Sequence, residues 1–278
     1  MPELPEVETI ARGLCSEVCG RRITGVDVRY AGAVKETANS FAAKVLGRRI
    51  AGARRRAKLL ILDFAPEDGR GDLHLVCHLK MTGRLYVPQE EFAPDKHTHV
   101  LFSLDDSRTL LWHDVRKFGW CRAMAPAELA DLDFYKSLGP EPLEIGAEEF
   151  AARFAGRGAA IKALLLNQSV IAGVGNIYAD EALFCAGLQP TAKADRLSAA
   201  RLEKLYTCLR DVLTRAIAAN GSTISDYRNA QGDAGAFQSQ FQVYGRKGEP
   251  CPRCGTRLKS ATVAGRTSTY CPKCQKKT

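Results

Sequence analysis

No run in this 278-residue sequence approaches the roughly 20 consecutive apolar side chains that a bilayer-spanning helix needs, which excludes a helical membrane protein. The N-terminus also lacks the basic segment and apolar stretch of a secretory leader, so the expected location is the cytoplasm. Internal repeats and low-complexity tracts are absent too. What remains is an ordinary globular composition, 45% hydrophobic and 26% charged, at a length that favours two domains over one.

Acidic charge is in short supply: 31 Asp and Glu face 40 Lys and Arg, leaving a formal net charge of +9. Basic residues gather at Arg54-Arg55-Arg56-Ala57-Lys58, at Arg116-Lys117 and in the tail ending Lys273-Cys274-Gln275-Lys276-Lys277. One such cluster is ordinarily a solvated face. Several in one chain point to a polyanion partner, most often nucleic acid.

The ten cysteines do not read as a disulfide framework, because the chain is large and carries no export signal. Six of them, Cys15, Cys19, Cys77, Cys121, Cys185 and Cys208, are scattered and are expected to be buried free thiols. The other four form Cys251-Pro252-Arg253-Cys254 and Cys271-Pro272-Lys273-Cys274, two C-x2-C pairs sixteen residues apart. That spacing suits a tetrahedral four-thiolate zinc site on a hairpin. Zinc contributes roughly 10–16 kcal/mol to such a peptide, against about 2–4 kcal/mol for a disulfide, so one structural Zn2+ is expected.

From Pro5 the apolar residues Val7, Ile10, Leu14 and Val18 fall at helical spacing, and Gly20 ends the run. Short strands are then expected at Ile23–Tyr30, Leu59–Phe64, Leu73–Leu79, Val100–Leu104, Thr109–His113 and Trp120–Met124, with no helix among them. Such a series argues for an antiparallel sandwich or barrel. The segment Ser137-Leu138-Gly139-Pro140-Glu141-Pro142 reads as a linker. Beyond it helices are expected at Ala147–Phe154, Ala159–Gln168, Asn176–Ala186 and Ser198–Ala219, and a strand-like tail from Phe237. The fold class is therefore multidomain α+β. Its expected parts are an N-terminal domain at 1–134, a linker at 135–150, a helical domain at 151–236 and a zinc β-hairpin at 237–278. Gly173-Val174-Gly175-Asn176 opens a helix, a turn that serves either as a phosphate cradle or as a connector; Arg157 and Lys162 nearby favour the cradle.

The opening MPELPEVE is unusual. Pro5 suits the first helical turn, and Glu6 and Glu8 suit its positive end, but neither fact accounts for Pro2 and Glu3. Aminopeptidases remove Met1 before a small residue, which would leave Pro2 with a secondary amine. Model α-amino groups titrate about 2.5 units below lysine, roughly several-hundred-fold richer in free base at neutral pH, a gap that proline's own basicity narrows. Pro2 is thus favoured over Lys58 as an amine nucleophile, with Glu3 placed to move protons.

MPELPEVET, RRRAKLLIL (54–62), HLKMTG (78–83) and DVRKFG (114–119) are followed in order by AIKALLLNQ (160–168), GVGNIYADE (173–181), QVYGRKGEPC (242–251) and the cysteine pairs. Together they resemble bacterial formamidopyrimidine-DNA glycosylase along essentially the whole chain. The resemblance implies an N-terminal β-sandwich, a helix–two-turns–helix DNA-binding domain and a zinc hairpin. It implies a monomer acting on duplex DNA with oxidised bases or abasic sites, in the bacterial cytosol and nucleoid, excising oxidised purines and cleaving the strand by β,δ-elimination. It assigns Pro2 as nucleophile, Glu3 as acid/base partner, Glu6 as support, Lys58 to β-elimination and phosphate, and Arg266 to phosphate near the lesion. His78, His97, Arg116, Arg157 and Asn176 match DNA contacts. Met81, Arg116 and Phe118 match the residues that wedge the duplex, and the Gln231–Phe237 loop sits where the family caps the everted base.

Two positions depart from the pattern. Lys117 replaces a second arginine, losing its bidentate fork, and Lys80 replaces a common glycine beside Met81. The alternative readings are an endonuclease VIII-like enzyme for oxidised pyrimidines and a catalytically silent DNA-binding protein. Leu4 with the Met81/Arg116/Phe118 set weighs against the first, and intact Pro2, Glu3, Lys58 and Arg266 weigh against the second.

Overall fold

The computed structural model describes residues 1–67, 69–224, 227, 229–230 and 233–277. The chain folds into two compact units, residues 1–136 with 219–236, and residues 137–218 with 237–278. No helix among the described residues is long and apolar enough to cross a membrane.

The first unit begins with α1 (Leu4–Val18) and continues β1 (Ile23–Val28), α2 (Ala38–Val45), β2 (Ile50–Arg56), β3 (Leu59–Phe64), β4 (Leu73–His78) and β5 (Gly83–Tyr86). Then come β6 (Thr98–Leu104), β7 (Thr109–Asp114), β8 (Trp120–Met124) and the short helices α3 (Pro126–Asp131) and α4 (Asp133–Lys136). The strands form two four-stranded sheets ordered β1-β6-β7-β5 and β2-β3-β4-β8. All their pairings are antiparallel. Leu60, Leu62, Leu75 and Cys77 of one sheet share a core with Phe102, Leu110 and Trp112 of the other, and α1 adds Val7, Ile10, Leu14 and Val18. Two-residue alternation sends Leu59, Ile61 and Val76 to the opposite face, where Met124 and Leu129 cover them. A strand buried on both faces reads as an unbroken apolar run, which is why β3 was plain in the sequence.

Several features differ from expectation, among them strand β5 and the short helices α3 and α4, which were not foreseen. A helix, α2, interrupts the strand series; Thr37 caps it by accepting the Ser40 N–H at 3.3 Å, and only Phe41 and Val45 are buried. Strand β2 is hidden in the sequence by its arginines. Two of these serve the fold: Arg54 pairs with Asp63 at 2.7 Å and Arg55 with Glu8 at 3.0 Å. The cysteines were expected to be buried free thiols, yet Cys185 and Cys208 are joined as a disulfide, Cys15 is exposed and Cys19 half-buried. Cys77 and Cys121 are buried as expected, facing each other across β4 and β8.

The second unit holds α5 (Ala147–Phe154), α6 (Ile161–Leu166), α7 (Asn176–Ala186) and α8 (Ala199–Ala218), then the hairpin β9 (Lys259–Val263) and β10 (Arg266–Tyr270). The tail from Phe237 is not strand-like throughout: Phe237–Gln240 forms a 3-10 turn, and the paired strands start at Lys259, after an isolated bridge between Pro250 and Arg257. Near the linker, Gly139 donates its N–H to the Gln168 carbonyl at 2.8 Å, and Pro140 accepts from Ala172 at 2.9 Å.

Helix α7 is buried almost throughout, including its acids. The Lys162 ammonium donates to Asp180 Oδ1 at 2.7 Å, and the other Asp180 oxygen accepts the Thr269 N–H of β10 at 3.0 Å. Burial pushes the Asp180 carboxyl up to about 6, against the opposing pull of Lys162 and the Thr269 amide. Glu181 accepts the N–H groups of Gln242, Val243 and Tyr244 at 2.8–3.0 Å and so fixes the approach to the hairpin. Lys162, expected near a phosphate cradle, is instead fully buried and committed to this pair. Replacing Lys162 by Met strands the buried Asp180 and is expected to cost about 3–5 kcal/mol in urea unfolding. The double variant K162M/D180L recovers part of that loss, the remainder reflecting the unpaired Thr269 amide.

Candidate functional site

In the first unit the helix start shapes the N-terminus. Pro5 suits the first turn of α1, where no N–H is needed, and the Glu3 carbonyl accepts the first helical bond, from Val7 at 3.1 Å. The Glu6 carboxylate turns back and accepts the Glu3 N–H at 2.9 Å. Its other oxygen accepts the Ser222 N–H at 2.8 Å and the Ser222 hydroxyl at 3.0 Å. Pro2 and Glu3 are consequently buried at the head of the helix. Gly221 makes this approach feasible: its φ of +76° suits glycine, and a Cβ there would stand 3.0 Å from Glu6 Cγ. Residues 219–236 thus return to the first unit and meet the N-terminus through Glu6. Of the expected capping loop, Gln231 and Gly232 lie outside the described residues.

Lys58 sits in the tight turn between β2 and β3, after Ala57 at φ +53°. Arg55 connects that turn to α1, pairing with Glu8 and donating to the Ala57 carbonyl at 3.3 Å. The same helix therefore carries residues 2 and 3 and braces the Lys58 turn. His78, paired with Leu59 across β3 and β4, is buried beside it. Burial, then the charges of Lys80 and Lys58, hold its imidazole down at about 3, so the ring is neutral near pH 7. The Lys80 N–H lies 3.1 Å from Nδ1, which makes Nδ1 the acceptor and leaves Nε2 as the donor.

Met81 and the Arg116–Phe118 segment lie far apart in sequence, but one buried carboxylate brings them together. Asp114 accepts the Thr82 hydroxyl at 2.5 Å, the Arg116 N–H at 3.2 Å and the Gly119 N–H at 2.7 Å. Thr82 also accepts the Arg116 N–H at 3.0 Å, and Arg116 Nη1 reaches Met81 Sδ at 2.9 Å. The Arg116 guanidinium lies 4.8 Å from the Phe118 ring centroid. Met81 is 43% and Phe118 54% exposed, an apolar prong standing in water on a rigid base. His97 lies against His113, ring centroids 5.8 Å apart, and its buried Nδ1 has no partner among the described residues.

The second unit carries the remaining expected residues. Gln168 shapes the glycine turn: its Oε1 accepts the Gly173 N–H at 2.9 Å, and its Nε2 donates to the Val174 carbonyl at 2.9 Å. Asn176 begins α7 and donates its side-chain amide to the Thr267 carbonyl at 3.2 Å. Arg157 is exposed in the turn between α5 and α6. Ala264 and Gly265, both at positive φ, form the two-residue hairpin turn, and Arg266 is exposed as the first residue of β10. The sulfurs of Cys251, Cys254, Cys271 and Cys274 lie within 4.8 Å of one another, with Cys254 and Cys271 3.5 Å apart and Cys251 and Cys274 3.9 Å apart. Zn–S bonds of about 2.3 Å imply tetrahedral edges of roughly 3.8 Å, so the four thiolates fit one zinc ion.

Several contributors escaped the sequence: Asp114, Thr82, Ser222, Asp180 and Glu181. Each acts on a side chain 18 or more residues away or through backbone groups, for which no local pattern exists.

A pinned N-terminus, an exposed arginine-braced apolar prong and a basic four-cysteine hairpin define a zinc-finger protein of the nucleic-acid-binding class. Comparison with known proteins gives the particular family. The formamidopyrimidine-DNA glycosylase N-terminal domain matches residues 1–121, the H2TH domain of the same enzyme 138–228, and the zinc finger found in FPG and IleRS 248–277. The formamidopyrimidine-DNA glycosylase of Bacillus subtilis is 42% identical over the whole of both chains. That of Nitratidesulfovibrio vulgaris is 41% identical, covering 99% of this chain and all of its own. Among solved structures, a Lactococcus lactis FPG mutant bound to Fapy-dG-containing DNA superposes with a TM-score of 0.90 at 32% identity, covering 99% of this chain and 100% of its own. The wild-type Lactococcus lactis protein with DNA containing an oxidized pyrimidine gives 0.89 over the same shares. The chain belongs to the formamidopyrimidine-DNA glycosylase family.

Two outcomes test this geometry. Asp114→Ala deprives three donors of their acceptor and is expected to cost about 2–4 kcal/mol, with amide exchange rising first across residues 114–119. Chelation at neutral pH is expected to release zinc, expose four additional thiols to Ellman's reagent and unfold the hairpin. An unchanged thiol count would contradict the four-thiolate site.

Proposed function

We propose that this chain is a bifunctional DNA glycosylase and abasic-site lyase of base excision repair, acting on oxidised purines in duplex DNA. The observation that carries the reading is the pinned head of α1, where Glu6 holds the backbone of residue 3 while Pro2 and Glu3 lie buried beside it. Removal of Met1 turns Pro2 into an amine already fixed in direction, which fits a nucleophile far better than a frayed terminus.

In the proposed reaction the damaged nucleotide leaves the stack, since its C1′ is inaccessible inside a duplex. Met81 and Phe118 fill the gap, and Arg116 contacts the opposite strand. The Pro2 nitrogen attacks C1′, the base departs with the bonding electrons and the amine proton, and the sugar opens to an iminium ion as Glu3 protonates O4′. Loss of a C2′ proton then expels the 3′ phosphate, and a second elimination expels the 5′ phosphate, with Lys58 placed to assist the first. Neutral His78, with Nε2–H as donor, suits a phosphate oxygen, and Lys58, His97, Arg157, Asn176 and Arg266 supply further backbone contacts. Residues 1–134 carry the chemistry on this reading, and 151–236 with 237–278 grip the duplex. The enzyme works where the bacterial chromosome is, in the cytosol and nucleoid.

The relatives named as formamidopyrimidine-DNA glycosylases and the DNA complexes of the Lactococcus lactis protein support this substrate class. The complex with an oxidized pyrimidine favours such lesions as secondary substrates. Borohydride trapping tests the reading. The Met1-processed protein is expected to form a covalent adduct through residue 2 with duplexes carrying 8-oxoguanine opposite cytosine, and to do so in preference to thymine glycol. Equal or better trapping on thymine glycol would move the assignment to the pyrimidine enzymes. Tight binding without an adduct would make the chain a silent binder, and retention of Met1 would defeat the mechanism.

A further inference from the structure

The C-terminal end of α1 carries a pair of thiols that the catalytic reading does not use. Cys15 lies in the last turn of the helix and is exposed; Cys19 is its C-cap and half-buried. Their sulfurs are 3.0 Å apart, inside van der Waals contact, so the side chains already point at each other. Residues four apart on a helix have Cα atoms about 6 Å apart, within the range that a disulfide spans. Cys19 has also left the helix, with ψ at 136°, so adjusting its side chain breaks no later helical bond.

We propose that Cys15 and Cys19 form a reversible dithiol–disulfide site whose oxidant is a hydroperoxide. The exposed Cys15 sulfur attacks the peroxide O–O bond, taking one oxygen as a sulfenic acid and releasing the other as water or alcohol. The Cys19 sulfur then attacks Cys15 and displaces that oxygen as water. Two thiols and one hydroperoxide become one disulfide, one water and one further water or alcohol, and the two electrons pass from sulfur to peroxide oxygen. A small thiol reverses the step by exchange. Burial and the neighbouring Cys15 push the Cys19 thiol up to about 12, which suits the second, resolving role rather than the first.

Access sets this pair apart from the others. Cys77 and Cys121 also face each other, but lie wholly inside the sandwich core, closed to an oxidant. Cys185 and Cys208 are already joined, and Cys251, Cys254, Cys271 and Cys274 suit the metal. Closure at Cys15 and Cys19 acts on the end of α1 remote from Pro2 and Glu3, so the site stands whether or not the glycosylase reading is right.

The test uses the zinc-loaded full chain. After brief hydrogen peroxide treatment, the protein is denatured, alkylated with iodoacetamide and digested with trypsin. Cleavage after Arg12 and Arg21 leaves both cysteines in one peptide, residues 13–21. That peptide is expected to lose both alkyl groups and appear two hydrogens lighter than its dithiol form, with dithiothreitol restoring alkylation. Its conversion should run roughly tenfold or more ahead of any change at Cys77 and Cys121. In C19S, Cys15 is expected to gain oxygen instead of a crosslink. Full alkylation of residues 13–21 until Cys77 and Cys121 oxidise would overturn the proposal. So would oxygen added to each sulfur of the unsubstituted protein without a crosslink.

Discussion

Glu6 is the constraint on which the head of α1 and the chain's return to it depend. Its carboxylate is 1% exposed and accepts from Glu3 on one oxygen and from Ser222 on the other. One side chain thus sets the direction of the N-terminus and anchors the returning segment at 219–236. Removing it would take this acceptor from two buried amides and a hydroxyl, and would release the backbone of residue 3 beside Pro2.

The same device recurs. Asp114 gathers Thr82, Arg116 and Gly119; Glu181 gathers three successive amides; Asp180 takes an amide and the Lys162 ammonium. In each case a buried acid holds backbone N–H groups, and beside Asp114 the outward side chains, Val115 to Phe118, are basic or apolar. This fits the composition: a protein meant to hold a polyanion keeps several of its scarce acids inside, where they shape backbone, and leaves Arg116, Arg157 and Arg266 exposed. Amide donors also satisfy a carboxylate without using up a cation from the surface.

Periodicity and spacing made much of this legible. Helix α1, the doubly buried β3 and the two cysteine pairs have local patterns, and the structure keeps them. What escaped was long-range or masked by side-chain chemistry. The arginines of β2 look like a polyanion patch until Asp63 and Glu8 are seen opposite them. Lys162 looks like a phosphate ligand until Asp180 appears 18 residues on. The return of 219–236 has no sequence signature, because the groups that hold it, Glu6 with the Ser222 amide and hydroxyl and the Tyr227 hydroxyl, form no local pattern. Cys185 and Cys208 carry no motif either, since their pairing depends on how α7 packs on α8.

The two departures from the family pattern gain a common physical setting. Lys80 and Lys117 both occupy left-handed backbone, at φ +51° and +58°, and flank Met81 and the Arg116–Phe118 pair. A glycine takes such a conformation freely, whereas lysine must be held there. The structure supplies the hold: the Lys80 N–H meets His78 Nδ1, and the Lys117 ammonium lies 4.7 Å from the Tyr30 ring centroid. The bond that fixes the His78 tautomer is therefore the one that secures Lys80, so the departure is tied to a proposed phosphate contact rather than separate from it. Lys117, tethered to an aromatic face, keeps its charge beside the prong while giving up the planar fork of arginine.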